Sequence, residues 1–153
     1  MKTVLVSSCL LGLATRYDGT DNYSAPVLEY LAHHNLVPIP VCPEQLGGLP
    51  TPRPKCWFSR GDGRNLLDGT GQLRDENGRD CGDDFLRGAT ASLEIARLCG
   101  CRSAILQERS PSCGSHKVYL NENLTEGMGV TAALLRKEGI EVISNNDLPE
   151  ESC

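Results

Sequence analysis

At 153 residues, 39% apolar and 23% charged, the chain has the length of one domain with a single core and the composition of an ordinary globular protein. A net charge of −5 gives no general attraction for nucleic acid, whose binding rests on phosphate neutralisation; only a local basic patch is left as a route to it. That acidic balance makes a small molecule or mononucleotide the favoured partner, and no run approaches the ~20 apolar residues of a membrane span.

Residues 3–6 are a short continuous apolar run, the pattern of a buried parallel strand. The apolar stretch before Cys9 is shorter than the ~7–15-residue core of a signal peptide. A cytoplasmic location is therefore expected, where cysteines serve as ligands or buried hydrophobes rather than disulfides. Ser24 as N-cap and Pro26 in the first turn open a helix over residues 27–34. Residues 37–41 read as a second strand, and its two prolines place it beside a sheet edge.

Residues 47–54 are too punctuated by Gly and Pro for regular structure, and residues 60–82 hold six glycines. With short strands at 57–59 and 72–74, the segment 47–82 is expected to be an inserted Gly-rich loop and hairpin covering the site. Its apolar content is too small for a core of its own. Asp83 and Asp84 suit a helix start, and Phe85, Leu86, Ala89, Leu93 and Ala96 follow at helical spacing to a stop at Gly100. Residues 103–107 form a third strand, 131–138 a helix ended by Gly139, and 140–143 a last strand. This alternation predicts an α/β fold: a Rossmann-like three-layer domain with a mainly parallel sheet, one domain over residues 1–153.

Three of the eight cysteines, Cys9, Cys42 and Cys113, each fall just past a predicted strand end. Loops at the carboxyl ends of parallel strands gather along one sheet edge, so these thiols converge there. Three convergent thiolates with no evident fourth can hold a metal centre with one open position. The residues alone leave equally open that they are three small buried side chains.

Four segments sharpen the choice: Cys9-Leu10-Leu11-Gly12 through Arg16-Tyr17-Asp18-Gly19; Val41-Cys42-Pro43-Glu44 through Pro52-Arg53; Ser110-Pro111-Ser112-Cys113-Gly114-Ser115; and Gly129-Val130-Thr131 through Leu135. In this order and nearly end to end, the chain resembles a small bacterial family of thiouracil desulfidases. The resemblance implies a 4Fe–4S cluster held by Cys9, Cys42 and Cys113, with one iron open to a substrate sulfur. It also implies conversion of C=S to C=O on a thiolated pyrimidine, with release of sulfide. Free base, nucleotide and thiolated tRNA stay open as substrates, and the acidic balance favours the small molecule.

Glu44, two residues after Cys42, is placed to exchange protons in the same pocket, and the hydroxyls of Ser110 and Ser112 to bond substrate or relay protons. Arg16 and Arg53 either orient substrate or pair with Asp18. Gly127-Met128-Gly129 offers backbone N–H groups to an anion or, the duller account, packs tightly. His33 and His34 sit near a helix end, and His116 follows the Cys113 loop. The chain has Thr15 where the family it resembles often has another Cys, which removes one candidate fourth ligand. Cys56, Cys81, Cys99, Cys101 and Cys153 match no ligand position, Cys56 being the best placed of them to reach the site. Two other readings stand beside desulfidation: an iron–sulfur hydro-lyase, and a zinc-binding accessory module. The tight Cys99-Gly100-Cys101 pair counts against zinc.

Overall fold

The computed structural model describes residues 2–149. Four parallel strands form the main sheet in the order β2 (Leu36–Val41), β1 (Lys2–Ser7), β5 (Ser103–Leu106), β8 (Glu141–Ser144). Alternation along β1 and β5 divides their side chains between two layers. Val4, Val6 and Ile105 pack with Val27 and Leu31 of helix α1 (Ala25–His33). Leu5, Ala104 and Leu106 face Leu93 and Ala96 of α4 (Gly82–Leu98) and Ala132 and Leu135 of α5 (Val130–Lys137). These are the three layers expected of the sequence.

The local signals explain the elements. Ser24 accepts a hydrogen bond from the Val27 N–H at 3.3 Å, and Pro26 occupies the first turn of α1. β2 is the sheet edge, and Pro38 and Pro40, two residues apart, put both missing donors on one side of it. Phe85, Ala89, Leu93 and Ala96 form the buried stripe of α4.

The 47–82 segment is richer than a loop and hairpin. β3 (Cys56–Arg60) and β4 (Gln72–Asp75) do pair antiparallel, but a capped helix, α3 (Gly63–Asp68), joins them. A second mixed sheet runs β4-β3-β6-β7, adding β6 (Lys117–Leu120) and β7 (Asn123–Glu126). The segment's few apolar residues share a core with the rest of the chain: Phe58, Leu66 and Leu73 pack with Phe85, Ala89, Val118 and Val130. The one-turn helix α2 (Pro43–Leu46) lies against α4 through two glycines. A Cβ on Gly88 would meet the Pro43 carbonyl oxygen at 1.8 Å, and one on Gly47 would meet the Asp84 carbonyl oxygen at 2.0 Å. No helix among the described residues is long and apolar enough to cross a membrane.

Candidate active site

β2, β1 and β5 are neighbours, and their carboxyl ends deliver Cys42, Cys9 and Cys113 to one cleft of about 690 Å³. The chain leaves β1 toward α1 on one face of the sheet and β5 toward α5 on the other, so the connections diverge between them. That divergence opens a crevice at the strand ends, the usual ligand position in such sheets. Cys9 sits in a single 3₁₀ turn (Ser8–Leu11) closed by Gly12 at φ 94°, and Cys42 is the N-cap residue of α2. Cys113 is held by the start of α5, whose first N–H groups bond the loop before it: Val130 N to Pro111 O at 2.9 Å and Thr131 N to Ser112 O at 2.8 Å. A Cβ on Gly129 would meet the Ser112 carbonyl carbon at 2.4 Å. The glycines before α5 thus serve close packing: the Gly127 and Gly129 N–H groups bond the His116 and Gly114 carbonyls, and the Met128 N–H bonds the Asp62 carboxylate, so these donors are already engaged within the chain.

Burial, and the neighbouring Cys42, push the Cys9 thiol up to about 11. Burial likewise drives Cys113 up to about 12, with Cys9 and Cys42 adding to it against the hydroxyls of Ser7 and Ser112. Cys42 is raised by burial, against the backbone N–H of Gln45 and the Arg53 guanidinium. The three thiols therefore sense one another and resist ionising together, a cost that a bound cationic centre removes. Arg53 Nη2, a donor, already faces Cys42 Sγ at 3.8 Å; Ser112 Oγ lies 3.6 Å from Cys113 Sγ, with its single hydrogen directed at Glu44. Hydrogen bonds to thiolate sulfur are a regular feature of iron–sulfur sites. Among the described residues no three His, Cys, Asp or Glu side chains gather closely enough for a single ion.

Glu44 stands in the first turn of α2 with both carboxylate oxygens engaged. Arg53 Nε donates to Oε1 at 3.0 Å, and Ser112 Oγ donates to Oε2 at 3.0 Å. Ser110 Oγ lies 2.9 Å from Ser112 Oγ and accepts from the N–H of Cys113 at 3.1 Å. Because the Ser112 hydrogen points at Glu44, Ser110 is the donor between the two hydroxyls. A single hydrogen-bond chain thus runs Ser110–Ser112–Glu44–Arg53 beside the thiols.

A family model described as 2-thiouracil desulfurase matches residues 4–147. The chain belongs to the 2-thiouracil desulfurase family. A protein from Bacillus subtilis (strain 168), named "Uncharacterized protein YbbK", is 38% identical over 148 residues, spanning 95% of this chain and 97% of the relative. Among solved structures, one described as [4Fe-4S]-dependent thiouracil desulfidase TudS is similar at a TM-score of 0.81 and 37% identity, covering 97% of this chain and 94% of that one.

In this desulfurase-family chain the cleft gathers Cys9, Cys42, Cys113, Glu44, Ser110 and Ser112. Arg53 also lines it, but it pairs with Glu44, not with Asp18, which instead caps Thr20. Arg53 Nη2 also donates to the Thr15 carbonyl at 2.9 Å, and the Thr15 hydroxyl bonds Ser8 at 2.7 Å. Arg16 lies over the Tyr17 ring, 5.8 Å from its centroid. His116 is half-exposed, bonds Asp147 at 2.5 Å and does not line the cleft. Cys101 is buried, Cys99 half-buried, and neither reaches the site; Cys153 lies outside the described residues.

Glu108 escaped sequence reasoning. Its buried carboxylate accepts from the N–H groups of Ser115, His116 and Lys117 at 2.9–3.0 Å and from the Ser115 hydroxyl at 3.1 Å. Burial pushes its carboxyl up, but the N–H groups of His116 and Lys117 outweigh this and bring it down to about 2. It acts as a peg around which the Cys113 loop winds. An acidic residue directly after a strand that ends at a ligand loop is the signal that could have found it.

Proposed function

We propose that this protein is a 4Fe–4S-dependent desulfidase of a small thiolated pyrimidine of the thiouracil type. The observation that carries the reading is the convergence of three thiols from β1, β2 and β5 on the cleft that holds the Glu44 chain, in a member of this family. At about 690 Å³ the cleft has the size of a small-molecule site. Lys55, Cys56 and Trp57 of the 47–82 segment line it, so that segment serves as a cover within one domain.

Cys9, Cys42 and Cys113 are the three cluster ligands. A 4Fe–4S cluster bound there supplies one open iron, a Lewis acid for the thiocarbonyl sulfur. Arg53 anchors Glu44 by Oε1 and keeps its second oxygen turned to Ser112. Glu44 takes a proton from the water that attacks the thiocarbonyl carbon. For that proton to leave Glu44 the two hydroxyls reverse, Ser112 accepting from Glu44 and donating to Ser110; it goes on to the departing sulfur, which leaves as hydrosulfide, and the second water proton is released to solvent. Water oxygen replaces sulfur on carbon, the C–S electron pair goes to sulfur, and no redox partner is needed.

The test is iron and acid-labile sulfide per chain on protein reconstituted without oxygen, followed by turnover of 2- and 4-thiouracil. About four of each per chain, with uracil and sulfide as products, is the expected result. Bound zinc without labile sulfide would replace this reading with the accessory-module one. A loaded cluster that dehydrates hydroxy acids and leaves thiouracil intact would point to the hydro-lyase.

A further inference from the structure

Cys56, the first residue of β3, lines the cleft, and Cys81, the N-cap residue of α4, lies behind it at 1% exposure. Their sulfurs are 3.4 Å apart, already in contact. Both pack in the apolar cluster around Phe58, Cys81 within it and Cys56 at its edge. Cys81 N donates to Leu73 O at 3.0 Å, and Phe58, Leu73 and Phe85 around the pair are buried. Neither cysteine belongs to the ligand set or to the Glu44 chain.

We propose that Cys56 and Cys81 form a redox-active dithiol whose disulfide accepts sulfide from the cleft as a persulfide on Cys56. The supply of sulfide rests on the desulfidase reading; the acceptor chemistry does not. The oxidant is a low-molecular-weight disulfide. Cys56 sulfur attacks it and displaces one thiol; Cys81 sulfur then attacks Cys56 sulfur and displaces the second. Both thiol protons leave with the two displaced thiols, and contact must shorten to the ~2 Å of an S–S bond.

In the second step hydrosulfide attacks Cys56 sulfur from the cleft. Displacement at sulfur proceeds in line, and Cys81, lying behind Cys56, is placed as the leaving group. The new S–S bond joins the sulfide to Cys56. The Cys56–Cys81 bond breaks, its electron pair goes to Cys81, and the hydrosulfide proton follows. Sulfide is oxidised and the disulfide reduced, so no further electron acceptor enters.

The experiment treats the cluster-loaded protein, without oxygen, with hydroxyethyl disulfide and then with sodium sulfide. Free thiols are alkylated and peptides mapped by mass spectrometry after each step. The expected result is a Cys56–Cys81 cross-link after the first step, then a persulfide on Cys56 with a free thiol on Cys81. Cys81→Ser should stop at a mixed disulfide on Cys56. Free thiols at both positions after the first step would overturn the proposal, as would persulfide spread equally to Cys99. Because sulfide is added directly, this outcome is separate from thiouracil turnover, which is measured on the same preparation.

Discussion

Arg53 clamps Glu44: its Nε lies 3.0 Å from Oε1, with the guanidinium side chain only 3% exposed. The same guanidinium bonds Thr51 at 2.8 Å and the Thr15 carbonyl at 2.9 Å, so one cation ties the Cys9 loop, the Cys42 turn and the cover segment together. Arg53→Met should leave a mostly buried carboxylate uncompensated and cost about 3–5 kcal/mol of stability. Thermal or denaturant unfolding measures it; an unchanged midpoint would show that the clamp contributes nothing.

Glu44→Gln keeps the shape of the side chain and its contact with Ser112 but cannot take a proton. Iron content should match the wild type, while kcat falls roughly 10²–10⁴-fold, the usual contribution of a positioned acid–base group. Full activity in this variant would take Glu44 out of the reaction. Ser112→Ala breaks the hydrogen-bond chain at its middle, and should lower kcat by about tenfold or more while shifting the pH–rate profile.

Cys9→Ala, Cys42→Ala and Cys113→Ala should each lose iron and labile sulfide, because the three sulfurs share one cleft. Iron and sulfide analysis with the visible absorption band is the check. Retention of the full cluster in any one of them would require a different ligand.

Gly88→Ala tests how the fold supports the site from a distance. The added Cβ would sit 1.8 Å from the Pro43 carbonyl oxygen, forcing α2 off α4 and carrying Cys42 and Glu44 with it. A loss of about 3 kcal/mol or more, with weakened iron binding, is expected. Gly100→Ala is the control: nothing lies within 4 Å, and only its left-handed backbone at φ 70° resists, at about 1–2 kcal/mol. Equal losses in the two variants would deny the close approach any special weight.

Glu108 predicts an acid limb in the stability curve. Its carboxyl falls from 4.5 to about 2 in the folded chain, so its contribution is complete above the unfolded value and disappears as pH drops toward the folded one. The shift corresponds to about 3 kcal/mol. Glu108→Gln should lower stability at neutral pH and flatten this limb, followed by circular dichroism from pH 7 to 2. An unchanged acid limb would place the acid sensitivity elsewhere.

Much of the frame is written locally in the chain. The apolar runs of β1 and β5, the Ser24–Pro26 start of α1 and the Phe85–Ala89–Leu93–Ala96 stripe depend on neighbours within a turn or two, so periodicity and capping reveal them. The placing of thiols after strands follows from the same local pattern plus the general rule that parallel strand ends gather ligands. β6 and β7 were not legible: each is four residues long, and of the eight side chains only Val118 is buried, too few to show an alternation. α3, too, was hidden among glycines, held by the Asp62 cap and by its approach to α5.

What only the tertiary structure decided is which side chains meet. Glu44 and Ser112 are 68 positions apart, and Cys56 and Cys81 are 25 apart; nothing local announces either pair. Arg53 could have answered Asp18 or Glu44 on charge alone, and the fold of the 47–54 loop chose Glu44. Sequence therefore determined the elements and the kinds of donor at their ends, because those depend on short-range backbone and burial preferences. Strand order and the glycine-to-carbonyl contacts of α2 and α4 determined the partners, because a hydrogen bond or ion pair needs atoms within about 3 Å and only the packed chain supplies that.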